Sequence, residues 1–188
     1  MHISFGRMTS CLFAWGIGTI VLAPTAETLA AKSTQTWSYV AQTAEDGSPN
    51  RVLARLMGEE GSAFWLSCTR IAREETEPAE TIVAATVTQK AYLGPSEANG
   101  RSTVYWLDGR PPELSYWVYR DRYGQLREQD QVRSLVASLT TAETLTVDLT
   151  DYRLEPRTVK FALKPSETKA VLERFARDCQ AIPRARNE

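Results

Sequence analysis

The chain has 188 residues, with 22 Lys and Arg against 23 Asp and Glu, for a formal net charge of −1. So even a balance offers no basic surface for nucleic acid and no acidic tail. Its 43% hydrophobic content is ordinary for a folded domain, and there is one histidine, His2, and three cysteines, Cys11, Cys68 and Cys179.

The first element reads as an export signal. Arg7 supplies a weak positive n-region, residues 11–24 form an apolar h-region, and Thr28-Leu29-Ala30 or Leu29-Ala30-Ala31 offers a small-residue cleavage site. The apolar run is shorter than the roughly 20 residues of a membrane-spanning helix. Cleavage of 1–31 is expected, with an uncleaved anchor as the alternative reading. The mature chain is then a single domain over 32–180 and a polar tail, 181–188, expected to fray. Cleavage removes Cys11 and His2 together, leaving two cysteines and no imidazole. No later segment is apolar enough to insert in a membrane.

The next elements alternate in the period of half-buried strands. Residues 35–44 place Trp37, Tyr39 and Ala41 on one face, and 45–50 form a turn. A second strand follows over 51–58, a turn over 59–62, and a third strand over 63–69 with Phe64, Leu66 and Cys68 on one face. Residues 70–80 are charged and read as a solvated loop. The β-branched stretch 81–93 reads as one long strand, broken at 94–101. Strands at 103–107 and 114–119 are joined by Asp108-Gly109-Arg110-Pro111-Pro112, whose prolines cannot donate to a ladder.

After Gly124 the period becomes helical. Val132, Leu135, Val136 and Leu139 make one stripe, with Asp130 as the expected N-cap. Leu145, Val147 and Leu149 then alternate as a strand, with Val159, Phe161 and Leu163 as its hairpin partner. Ser166, after Pro165, is the expected cap of a last helix whose inner stripe is Val171, Leu172, Phe175, Ala176 and Cys179. The fold class is α+β: an antiparallel β-rich sheet or sandwich, two helices in the C-terminal third, and one disulfide.

That disulfide is expected between Cys68 and Cys179, both on core faces. A redox-active pair is usually close in sequence, which these are not. Two buried reduced thiols would suit a reducing compartment, against the export signal. Without histidine, Ser-His-Asp and Cys-His catalysis and histidine metal sites are excluded. No cofactor and no metal are implied. Asp108 and Asp121, on neighbouring loops, are the only carboxylate pair that suggests hydrolysis, and aspartate beside glycine is ordinary turn chemistry.

The positive signal is aromatic. Tyr105, Trp106, Tyr116, Trp117 and Tyr119 crowd one hairpin beside Arg120 and Arg122. Neighbours on a strand face opposite ways, so one of each pair Tyr105/Trp106 and Tyr116/Trp117 lies outside. Such a Tyr/Trp/Arg group suits a protein interface or a sugar-stacking surface, and equally a layer covered by the helices.

Several of these residues also carry a family resemblance. Tyr92-Leu93-Gly94, Val104, Asp108, Trp117, Phe161, Leu163 and Ser166, with Cys68 and Cys179, resemble the pattern of the periplasmic type VI secretion-associated accessory proteins (the TagO/VasI family). The resemblance spans residues 64–179, and a looser one extends to invasion-associated locus B proteins. This chain lacks the family's N-terminal cysteine segment, and residues 45–50 replace its Asp-Asp-Ser turn. The resemblance implies an exported, disulfide-bonded β-rich domain without catalytic residues. The expectation is thus a periplasmic, non-enzymatic accessory protein with an envelope protein partner. The alternative is a cell-wall or glycan-binding module stacking sugars on Trp106 or Trp117.

Overall fold

The computed structural model describes residues 35–43, 49–71, 80–95 and 99–180. The expected signal with His2 and Cys11, most of the 45–50 turn, most of the acidic 70–80 loop and the 181–188 tail lie outside the described residues. Nine strands and two α-helices follow in the order β1 (Trp37–Thr43), β2 (Pro49–Met57), β3 (Ala63–Ile71), β4 (Glu80–Thr88), β5 (Arg101–Leu107), β6 (Glu113–Arg120), β7 (Tyr123–Leu126), α1 (Gln129–Leu139), β8 (Thr144–Thr150), β9 (Pro156–Ala162) and α2 (Pro165–Gln180). They form one antiparallel sheet ordered β1-β2-β3-β4-β7-β6-β5-β8-β9.

The sheet curls on itself. Phe64 on β3 meets Phe161 on β9 with ring centroids 5.9 Å apart, although five strands lie between them in the sheet order. At Gly58, after β2, a Cβ would come 2.6 Å from the Phe161 ring, so glycine lets the β2–β3 corner approach β9. Gly124 on β7 serves the same purpose, since a Cβ there would sit 2.7 Å from Leu149 of β8. The inner faces therefore pack into a single core containing Val52, Leu66, Val87, Trp117, Leu145 and Phe161.

The helices cover the inner face of the early strands. α2 lies on β1 and β2, and α1 on β4. The Trp37 indole Nε1 donates to Thr168 Oγ1 at 3.1 Å, and the Tyr39 hydroxyl donates to Asp178 Oδ2 at 2.7 Å. Arg174 stacks 4.1 Å above the Tyr39 ring. The Cys68–Cys179 disulfide forms as expected, with Cα atoms 5.8 Å apart and a sequence separation of 111.

Four expectations need correction. The strand expected over 81–93 ends at Thr88, because the Gln89 side chain bonds both the N–H and the C=O of Ala91 and closes a turn. Glu128, not Asp130, caps α1: its carboxylate accepts from the N–H groups of Asp130 and Gln131 at 3.1 and 2.7 Å. Ser166 lies inside α2, which opens at Pro165, where a missing N–H costs no hydrogen bond. Ala176, expected on the inner stripe, is exposed. The four-residue β7 had no alternation to announce it, yet it joins β4 to β6 and makes the sheet continuous.

Reducing the disulfide, or replacing both cysteines with alanine, is expected to lower the unfolding free energy by up to about 4–5 kcal/mol in the chain-entropy account of so long a loop. Urea denaturation with and without reductant measures this. A loss below about 1 kcal/mol would show that packing alone holds α2 in place.

Candidate functional site

The hairpin aromatics divide as alternation requires. Tyr105, Trp117 and Tyr119 are buried, while Tyr116 is 65% exposed and Trp106 half-buried on the outer face. The buried three are structural. Trp117 donates from Nε1 to Ser115 Oγ at 2.6 Å, and the Tyr105 hydroxyl donates to Glu113 at 2.6 Å. The Tyr119 hydroxyl bonds Thr103 Oγ1 and accepts from the Thr150 N–H, both at 2.8 Å. Burial pushes the Tyr105 and Tyr119 phenols above their usual range, and for Tyr105 the Glu113 carboxylate adds to the shift. Trp117 thus cannot stack a sugar, and Trp117→Ala would empty the core at a cost of about 3–5 kcal/mol.

Arg120 and Arg122 are exposed, but not beside Trp106. Asp121, between them, pairs with Gly94 as an isolated bridge, with Asp121 N–H to Gly94 O at 3.1 Å and Leu93 N–H to Asp121 O at 2.6 Å. The turn that carries both arginines thus joins the loop after β4. Among the described residues the arginines stacked on aromatic rings are Arg55 on Trp65, Arg101 on Tyr119, Arg153 on Tyr152 and Arg174 on Tyr39.

Asp108 and Asp121 stand at opposite ends of β6, whose eight residues separate them by about 25 Å. Paired glycosidase carboxylates sit within about 5–9.5 Å. Asp108 is also engaged: its Oδ1 accepts from the N–H groups of Glu143 and Thr144 at 2.8 and 2.7 Å. Burial would raise its pKa, but the bonds to Thr144 and Glu143 outweigh burial and hold it below the usual carboxylate range. Among the described residues no group of His, Cys, Asp and Glu is placed to hold a metal ion, and no helix is long and apolar enough to cross a membrane.

The most exposed apolar group is one that alternation did not flag. Tyr92 and Tyr152 pack with centroids 5.9 Å apart, each about half exposed. Beside Tyr152, Leu154 is 79% exposed and sits at φ 64°, a left-handed conformation that costs a leucine roughly 1–2 kcal/mol. The turn is fixed from within. Asp151, 2% exposed, accepts from the N–H groups of Arg153 and Glu155 through Oδ1 and from Arg157 Nε and Nη2 through Oδ2, all at 2.7–3.0 Å. Burial opposes the charge on Asp151, yet Arg157 and the two amides hold its pKa below the ordinary value. The sequence signals here were the two alternating strands on either side of the turn and Tyr92 in the family resemblance.

Next to this turn runs a groove of about 730 Å³ between β9 and a wall formed by Glu59, Glu60, Gln89 and Lys90. Its lining includes Ala91, which precedes Tyr92 in the chain, and Pro156, at the end of the Asp151 turn. A second cleft, about 860 Å³ and mostly apolar, lies between α1 and α2 beside Cys179. No family model, curated protein or solved structure matches the chain.

Two outcomes follow from the Asp151 turn. Leu154→Gly is expected to be neutral or to stabilise by up to about 1 kcal/mol in urea denaturation, because relief of the left-handed strain offsets the added chain entropy; a loss above 1 kcal/mol would mean the side chain packs on the fold. The folded pKa of Asp151 lies below its unfolded value of about 3.9. Its contribution is therefore complete above that pH and is lost as pH falls through the folded pKa. Asp151→Asn should flatten the acid limb of a stability–pH profile, and an unchanged limb would refute the assignment.

Proposed function

We propose that this chain is an exported, non-enzymatic binding protein of the cell envelope that docks on a protein partner through the Asp151 turn. The observation that carries the reading is Leu154, held in a disfavoured backbone conformation with its side chain in solvent. Strain of this kind persists where the surroundings impose it and the site has a use for it. The neighbouring Tyr92–Tyr152 pair and Arg153 add side-chain types that dominate protein interfaces. The disulfide suits an oxidising compartment, and with the signal-like N-terminus it supports export, with the periplasm as the site. The resemblance to secretion-associated accessory proteins supports an auxiliary role. A non-enzymatic reading is supported by the separation of Asp108 from Asp121 and by the structural use of Asp108.

A glycan-binding reading is favoured by one observation, the exposure of Tyr116 with Trp106 half-buried on the same outer face. Capture from envelope extracts separates the two. With a protein partner, Leu154→Asp and Tyr152→Ala should weaken capture by about tenfold or more at unchanged melting temperature. Murein pull-down that is abolished by Tyr116→Ala and untouched by Leu154→Asp would establish the glycan reading instead.

A further inference from the structure

The edge of β9 away from β8 has a defined register. Leu163 N–H donates to Glu143 O at 2.7 Å, which makes 143 and 163 a hydrogen-bonded pair. In an antiparallel ladder such pairs recur at every second residue. Arg157, Val159 and Phe161, opposite Leu149, Val147 and Leu145, therefore turn their N–H and C=O groups toward β8. Thr158, Lys160 and Ala162 turn theirs the other way, where β9 has no strand neighbour among the described residues. Ala162 verifies the phase, because its outward N–H is accepted by the side-chain oxygen of Gln35.

That bond also indicates the chemistry the edge accepts. The Gln35 carboxamide supplies the oxygen that a strand beside β9 would supply from its backbone. It occupies the last rung, leaving the two before it, at Thr158 and Lys160, facing the groove. The far wall, from Glu59 to Lys90, keeps this edge from being an open flank. Pro156 and Lys160 are residues that discourage indiscriminate pairing of whole sheet edges. The wall carries both signs of charge, in Glu59, Glu60 and Lys90, so it selects weakly by side chain and leaves recognition to the main chain.

We infer that the groove beside β9 binds an extended peptide segment of a partner, which adds to the sheet as a tenth strand by pairing with Thr158 and Lys160. This is strand addition, in which main-chain bonds give affinity and side chains give the specificity. It rests on the reading of the chain as a protein-binding module and gives the partner a conformation.

The test uses the oxidised, full chain and an array of 12-residue peptides with alternating apolar and polar residues, with proline-rich peptides as controls. Alternating peptides are expected to bind. Binding should slow amide exchange at Thr158 and Lys160 by about tenfold or more while leaving Val159 and Phe161, already paired to β8, unchanged. N-methylation of alternate peptide amides should weaken binding by about tenfold per lost bond in one phase and not in the other. Lys160→Pro should abolish binding, and the exchange and N-methyl readouts on the native chain decide the matter if that variant does not fold. Binding without a change at Thr158 and Lys160, or insensitive to N-methylation in both phases, overturns strand addition. An array with no binder, alongside capture of a protein that depends on Leu154, overturns it and leaves the docking reading standing. An empty array with no such capture overturns both.

Discussion

The Cys68–Cys179 bond joins the middle of β3 to the last turn of α2, and every element from β4 to β9 lies inside the loop it closes. This clasp holds α2 across the curled sheet. α2 sits on β1 and β2, and its N-terminal turn reaches Trp37 through Glu167 and Thr168 while its C-terminal turn is bonded to β3. A helix held at both ends fixes the inner face beneath it. The late strands must then turn back toward the β2–β3 corner, where Phe161 meets Phe64.

Where the sheet runs out, glutamine carboxamides stand in for missing backbone. Gln129, at the start of α1, bonds both the N–H and the C=O of Val83, on the side of β4 that short β7 does not reach. Gln89 does the same for Ala91, and Gln35 satisfies the N–H of Ala162. Backbone groups withdrawn from water cost about 1–3 kcal/mol when left unpaired. A carboxamide carries one acceptor and two donors on a short stem, and so replaces one peptide unit. At Val83 the replacement covers both groups; along β9 it covers the N–H of Ala162 alone.

Period and composition made most of the fold legible. Alternation found Phe64, Leu66 and Cys68, and helical spacing found Val132, Leu135 and Leu139, because burial on one face is written directly into residue order. The disulfide followed from two cysteines on core faces. What escaped depended on contacts between distant segments. β7 is four residues long with Gly124 at its second position, and only its neighbours β4 and β6 make it a strand. The position of Trp117 inside and Tyr116 outside was undetermined, since the pattern fixes that they alternate and not which faces in. Leu154 was invisible for a different reason: its conformation is imposed by Asp151 and Arg157, and nothing in the Asp151–Glu155 segment alone calls for a left-handed leucine. The groove beside β9 requires the curl, which no local pattern encodes.

The order in which the cysteines appear gives the clasp a temporal meaning. Cys68 leaves the ribosome 111 residues ahead of Cys179, and its partner does not exist until α2 has been made. Oxidation of the right pair consequently follows synthesis of α2 rather than guiding the strands that precede it. A chain interrupted anywhere before α2 carries an unpaired thiol in the middle of β3. The bond thus reports that α2 has been made, distinguishing a chain that carries it from a fragment that has the same first strands.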